Sequence, residues 1–212
     1  MMKTVFFLAA FLFGVHTFSS DLISREAGDV ASRMKSTVYS HRISVDEAEG
    51  SYAADCSGFL AYVIKRTIPE ALKEVEISPK HKRPLAVNFY NTIVRAGTEK
   101  IRHWQRISKL EDAAPGDVLV WVNSPGKDNT GHVMIVMEAP LPEGKELFKL
   151  KICDSSKSPH QDDTRENGSN GIGIGIIWIE TDEKGSPVAY RWSSPSSKSI
   201  GRSFAIGRIS AD

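Results

Sequence analysis

The sequence predicts an α+β fold in which N-terminal helices pack on a mainly antiparallel β-sheet. Three observations predict it. Apolar residues recur at helical spacing up to about Gly97, short apolar runs of strand length follow Leu110, and most breaks between those runs carry Gly or Pro. Helices that precede strands, rather than alternate with them, give segregated layers instead of a parallel βαβ sheet.

The first helix is expected from Leu22 to Lys35, a mildly amphipathic stretch with acidic residues at its start. Ser36 to Ala54 mixes Ser, Gly, His and acidic residues without a period and reads as a loop. From Cys56 to Arg66, Phe59, Leu60, Val63 and Ile64 recur at helical spacing, with Asp55 at the entrance and Lys65 and Arg66 at the exit complementing the helix dipole. The connection through Lys80, Lys82 and Arg83 reads as solvated. Pro84 opens a third helix that turns Leu85, Phe89, Tyr90 and Ile93 inward and ends at Gly97. Strands are expected at Asp117 to Val122, His132 to Met137, Leu147 to Asp154, Ile172 to Glu180, Val188 to Trp192 and Phe204 to Ile209. Gly171, Gly173 and Gly175 alternate with isoleucines, which gives a strand with one thin face. They do not form a dinucleotide fingerprint, because no helix follows the last glycine.

The length of 212 residues fits one domain, and 41% hydrophobic residues provide a core without metal or disulfide staples. The 27 basic residues nearly balance 26 acidic ones, so there is no electrostatic footprint for nucleic acid. Lys3, a nearly uncharged run from Thr4 to Val15, and small residues at Thr17 and Ser19 form a signal-peptide pattern. The expected organisation is a leader at residues 1–20 and a single domain at 21–212, secreted or periplasmic, with no membrane span once the leader is removed.

In an exported chain the two cysteines, Cys56 and Cys153, first suggest a disulfide. Strand alternation argues against it. Phe148, Leu150, Ile152 and Asp154 share one face, while Cys153 falls with Lys149 and Lys151, so a bond would need a bulge.

Asp55-Cys56-Ser57-Gly58-Phe59 places a thiol at the first turn of a helix, where unpaired backbone N–H groups favour a thiolate. Asp55 opposes that charge unless its side chain turns back to cap the helix. The candidate base is His132, at the start of an apolar strand behind Gly131. Asp154 ends the next strand on its apolar face, where a histidine partner would relieve the cost of a buried carboxylate. The alternative is that Asp154 merely starts a turn with Ser155 and Ser156. Just beyond it, His160, Asp163 and Arg165 are candidates for contacts with charged groups of a ligand. No spacing of ligands calls for a metal, and no cofactor is expected.

These motifs resemble the NlpC-type cell-wall peptidases, which belong with the CHAP amidases to the papain-like cysteine hydrolases. The likeness lies in Asp55-Cys56-Ser57-Gly58-Phe59, in Pro115-Gly116-Asp117-Val118-Leu119-Val120-Trp121 and in Gly131-His132-Val133, in that order. The resemblance implies a papain-like fold, with Cys56 as nucleophile, His132 as base and then acid, and Asp154 as third member of the triad. It implies hydrolysis of an amide bond in peptidoglycan stem peptides, with a cell-wall peptide as the partner. Asp55, Ser57, Tyr39 and Tyr52 are further candidate substrate contacts, either tyrosine being a possible second oxyanion donor beside the Cys56 N–H. Two other readings share these residues: an amidase or acyltransferase, and a silent domain that binds wall peptide or protein.

Overall fold

A computed structural model describes residues 17–79, 81–126 and 129–211. The expected leader lies, up to residue 16, outside the described residues, and Thr17 opens the first helix. The chain runs α1 (Thr17–Arg33), β1 (Ser36–Tyr39), β2 (Ser44–Asp46), β3 (Ser51–Ala54), α2 (Cys56–Thr67), α3 (Pro69–Lys73) and α4 (Ala86–Arg95). It continues through β4 (Trp104–Ile107), β5 (Val118–Val122), β6 (Gly131–Val136), β7 (Leu141–Pro142) and β8 (Leu147–Ser156). The last elements are β9 (Gly171–Thr181), β10 (Pro187–Arg191), β11 (Ile200–Gly201) and β12 (Ser203–Ile209).

The architecture is α+β, as the periodicities require. The large sheet has the order β11-β10-β9-β8-β6-β5-β12-β4, with β7 on the edge of β8 beyond the end of β6, and its pairings are antiparallel. Three differences from the sequence reading lie upstream, the first being the short helix α3, which lies in what was read as a connection. The stretch read as a loop folds into a small sheet, in which β1 runs parallel and β2 antiparallel to β3. Pro84 stands outside the helix it was expected to open, α4, whose N-cap is Leu85.

The two faces of the large sheet bury different cores. On one, Val118, Val120, Val133, Ile135 and Cys153 meet Phe59, Leu60, Val63 and Ile64 of α2 and Phe89 and Ile93 of α4. Each such large side chain contributes about 1.5–3 kcal/mol on burial. On the other, Leu119, Trp121, Met134, Leu150, Ile152 and Ile177 form a second core. Trp121 on β5 stacks on Tyr190 of β10 at 4.2 Å although β6, β8 and β9 stand between their strands. The sheet is therefore strongly curled, and the second core fills the curl. Cys56 and Cys153 are both buried free thiols.

Candidate active site

Asp55 caps α2: its Oδ1 accepts from the Gly58 backbone N–H at 2.8 Å and from the Ser57 hydroxyl at 3.1 Å. Its other oxygen is held by His41 Nδ1 at 2.9 Å and by the Arg83 guanidinium. Burial alone would raise the Asp55 pKa, but the bonds from His41, Gly58 and Arg83 outweigh it and hold the carboxyl below its usual range. Its charge is thus spent on the cap rather than aimed at Cys56, the first residue of the helix. Arg83 also donates to the Ser57 hydroxyl at 2.8 Å, so the connection read as solvated supplies a strut of the site. Lys80 lies outside the described residues.

His132 sits on the inner face of the curl, opposite Trp121 in the β5–β6 register. Gly131 has φ +148°, and a Cβ there would overlap the Trp121 carbonyl, so only glycine lets the two strands close at this point. His132 Nε2 lies 2.6 Å from Asp154 Oδ2, and its side chain is 12% exposed against 0% for Asp154. Burial pulls the imidazole pKa down, yet its interactions with Cys56 and with the Asp154 carboxylate win, pushing it up to about 10. With Nε2 engaged by Asp154, the other ring nitrogen is the one left free to serve Cys56.

Asp154 lies within a strand, because β8 continues to Ser156; the turn alternative is overturned. Burial would protonate Asp154, but His160 and His132 hold its pKa far below the carboxylate range. An ionised carboxylate only accepts, so both facing Nε2 atoms carry a proton. Ser155, on the opposite face of β8, donates to the Ala54 carbonyl at 2.7 Å. That bond ties the segment just ahead of Cys56 to the strand that carries Asp154.

The remaining residues singled out by sequence separate into three groups. Tyr39 borders the cleft with His132. Burial and then the charges of Cys56 and Asp55 raise its pKa, so it keeps its O–H donor. Tyr52 does not border it: the ring is 1% exposed in the helix-side core and its hydroxyl accepts from Arg33 Nε at 3.4 Å. Asp55 and Ser57 are buried struts of the helix cap. His160, Asp163 and Arg165 were expected to meet charged groups of a ligand, but their side chains are 0–2% exposed and pack beneath Asp154. The glycine face of β9 makes room for them, since a Cβ on Gly175 would lie 2.7 Å from Asp163 Oδ2 and 2.8 Å from His160 Cβ.

Sequence reasoning passed over Arg83, His41, Ser155 and the indole pair of Trp121 and Trp192, whose rings lie 5.1 and 5.6 Å from His132. The available signal for the indoles was their place near the ends of apolar runs, Trp121 next to last in β5 and Trp192 just after β10. A cavity of 350 Å³ opens at His132 between Tyr39, Trp121, Tyr190 and Trp192, with Lys157 and Arg202 at its edge. A groove of 1050 Å³ continues from it past Asn123, Asn129 and Arg202 towards Tyr90. Among the described residues no group of His, Cys, Asp and Glu forms a metal cluster, and no helix is long and apolar enough to cross a membrane.

No protein-family model matches the chain. The chain is 31% identical over 180 residues to "Uncharacterized protein R653" of Acanthamoeba polyphaga mimivirus, covering 73% of this chain and 77% of the relative. Among solved structures it is similar to the wild-type endolysin LysIME-EF1, with a TM-score of 0.39 and 14% identity over 82% of this chain. The chain spans 65% of that endolysin's length.

Proposed function

We propose that this chain, which belongs to the family of the mimivirus protein R653, is an exported cysteine hydrolase that cleaves an amide bond in peptidoglycan stem peptides. In this reading it is papain-like and of the NlpC type, with Cys56, His132 and Asp154 as its triad. The observation that carries the reading is a helix-start cysteine whose side chain acts on His132, with that nearly buried imidazole hydrogen-bonded at 2.6 Å to a buried, ionised carboxylate.

The Cys56 thiolate attacks the amide carbonyl, forming a C–S bond while the carbonyl π-electrons move to oxygen. The oxyanion meets the Cys56 backbone N–H and the Tyr39 hydroxyl. His132, held as imidazolium by the thiolate and Asp154, gives its Nδ1 proton to the leaving amine as the C–N bond breaks. The now neutral His132 takes a proton from water, whose oxygen attacks the thioester. The acid product leaves, and thiolate and imidazolium are restored.

The surroundings agree with such a substrate. The cleft and its groove are lined by aromatic, amide and hydroxyl side chains with Lys157 and Arg202, and among their described residues there is no carboxylate. Such a lining suits an extended peptide that carries acidic groups. The test is digestion of purified peptidoglycan by wild type and Cys56→Ala, with mass spectrometry of the soluble fragments. New amine and carboxyl ends released by wild type alone support the reading, and equal fragment profiles overturn it for this substrate.

A further inference from the structure

We propose that His160 is a positioning residue of this site: it holds the Asp154 carboxylate in the orientation that presents Oδ2 to His132. The inference rests on the triad reading above and adds a fourth residue to it.

Asp154 Oδ2 is shared by two imidazoles, His132 Nε2 at 2.6 Å and His160 Nε2 at 3.0 Å. Its Oδ1 accepts from Arg165 Nη2 at 3.1 Å. Rotation of the carboxylate would have to break bonds on both oxygens, and the second donor on Oδ2, from His160, adds to that restraint on the oxygen that faces His132. The His160 side chain is itself fully buried. Its backbone N–H donates to Asp163 Oδ2 at 2.8 Å, and Asp163 forms a bidentate pair with Arg165, at 2.8 Å to Nε and 2.6 Å to Nη2. Arg165 is pinned in turn by Ser156 Oγ and the Gly171 carbonyl. The loop that carries His160 is therefore fastened on the side away from the cleft.

On the cleft side the His160 ring lies 4.0 Å from Trp192, whose Nε1 donates to the Pro159 carbonyl at 3.0 Å. Trp192 stands against His132 as well. His160 thus touches neither the sulfur nor the cleft, and it acts on both through Asp154 and the indole. A pure packing role would need a ring of this size but no donor at Nε2. The positioning role needs the donor.

The test compares full-length wild type, His160→Phe, which keeps the ring, and His160→Gln, which restores an N–H donor. Two readouts are taken: steady-state hydrolysis of peptidoglycan fragments, and the rate of Cys56 alkylation by iodoacetamide at neutral pH, located by mass spectrometry. His160→Phe should lower kcat and alkylation on the order of tenfold to a hundredfold with KM little changed, as for a small misplacement of a catalytic group. His160→Gln should recover most of the loss. Alkylation needs no substrate, so absence of turnover in all three proteins would sink the hydrolase reading while the alkylation rates still decide the role of His160. Equal rates for wild type and His160→Phe, or loss in both variants alike, overturn the proposal. Should His160→Phe fail to fold, imidazole ¹⁵N spectroscopy of wild type decides: a protonated His160 Nε2 supports the proposal, and a bare one overturns it.

Discussion

Gly173 lies on the thin face of β9, and replacing it with alanine tests whether that face exists to admit the Asp163–Arg165 pair. An added Cβ would stand 2.5 Å from Asp163 Oδ1 and 2.8 Å from Arg165 Cδ, with Arg165 Nε closer still. Ordinary contact between such atoms is at about 3.5 Å, so the pair must retreat by roughly 1 Å. Overpacking of a dense interior costs about 1–3 kcal/mol, and loosening a charge-assisted bond in this network adds about 1–2 kcal/mol. The expected loss is about 2–5 kcal/mol, or roughly 4–20 °C in Tm for a chain of this size. Urea unfolding of the full chain, followed by the fluorescence of its four tryptophans, measures it. Gly144→Ala is the control, since its Cβ would meet only Leu147 Cβ, at 4.0 Å. If Gly173→Ala falls within about 0.5 kcal/mol of Gly144→Ala, the account of the glycine face is wrong.

Asp154→Asn keeps the shape but lets the amide accept on one side only, so His132 loses its fixed tautomer. The expected result is a fall in kcat on the order of 10³–10⁴ with KM little changed, read by steady-state kinetics. In the proposed mechanism His132 must be protonated to serve the leaving amine, and its pKa is pushed up to about 10; hydrolysis should therefore decline as pH rises through that value. The same raised pKa contributes stability that is fully present below the ordinary histidine value of about 6.5 and lost as pH climbs through about 10, which urea midpoints across this range will show. Arg83→Met removes a partner of a buried carboxylate. It should cost about 1–3 kcal/mol and slow Cys56 alkylation, read by unfolding and by mass spectrometry.

The elements that dominate the core were legible because their periods are local. Phe59, Leu60, Val63 and Ile64 mark α2 by helical spacing, and the apolar runs of β5, β6 and β9 announce strands. The strands β1 to β3 were not, since they are three or four residues long and set among polar side chains around the Gly50 turn. β4 shows only Trp104 and Ile107 as buried ends. The meeting of His132 with Asp154 followed from strand parity, which put the carboxylate on the apolar face. The burial of His160 and Arg165 did not. A polar run after a strand looks solvated, and only the curl of the sheet with the bare face of β9 turns it inward. The role of Arg83 depends on a long-range approach to Asp55 that no local pattern encodes.

The most direct test of the account is capture of the covalent intermediate. Wild type mixed with a stem-peptide substrate and quenched in acid should carry the acyl mass as a thioester on the peptide containing Cys56, and Cys153 should carry none. Cleavage that proceeds without any adduct on Cys56, or at the same rate in Cys56→Ser, would contradict it.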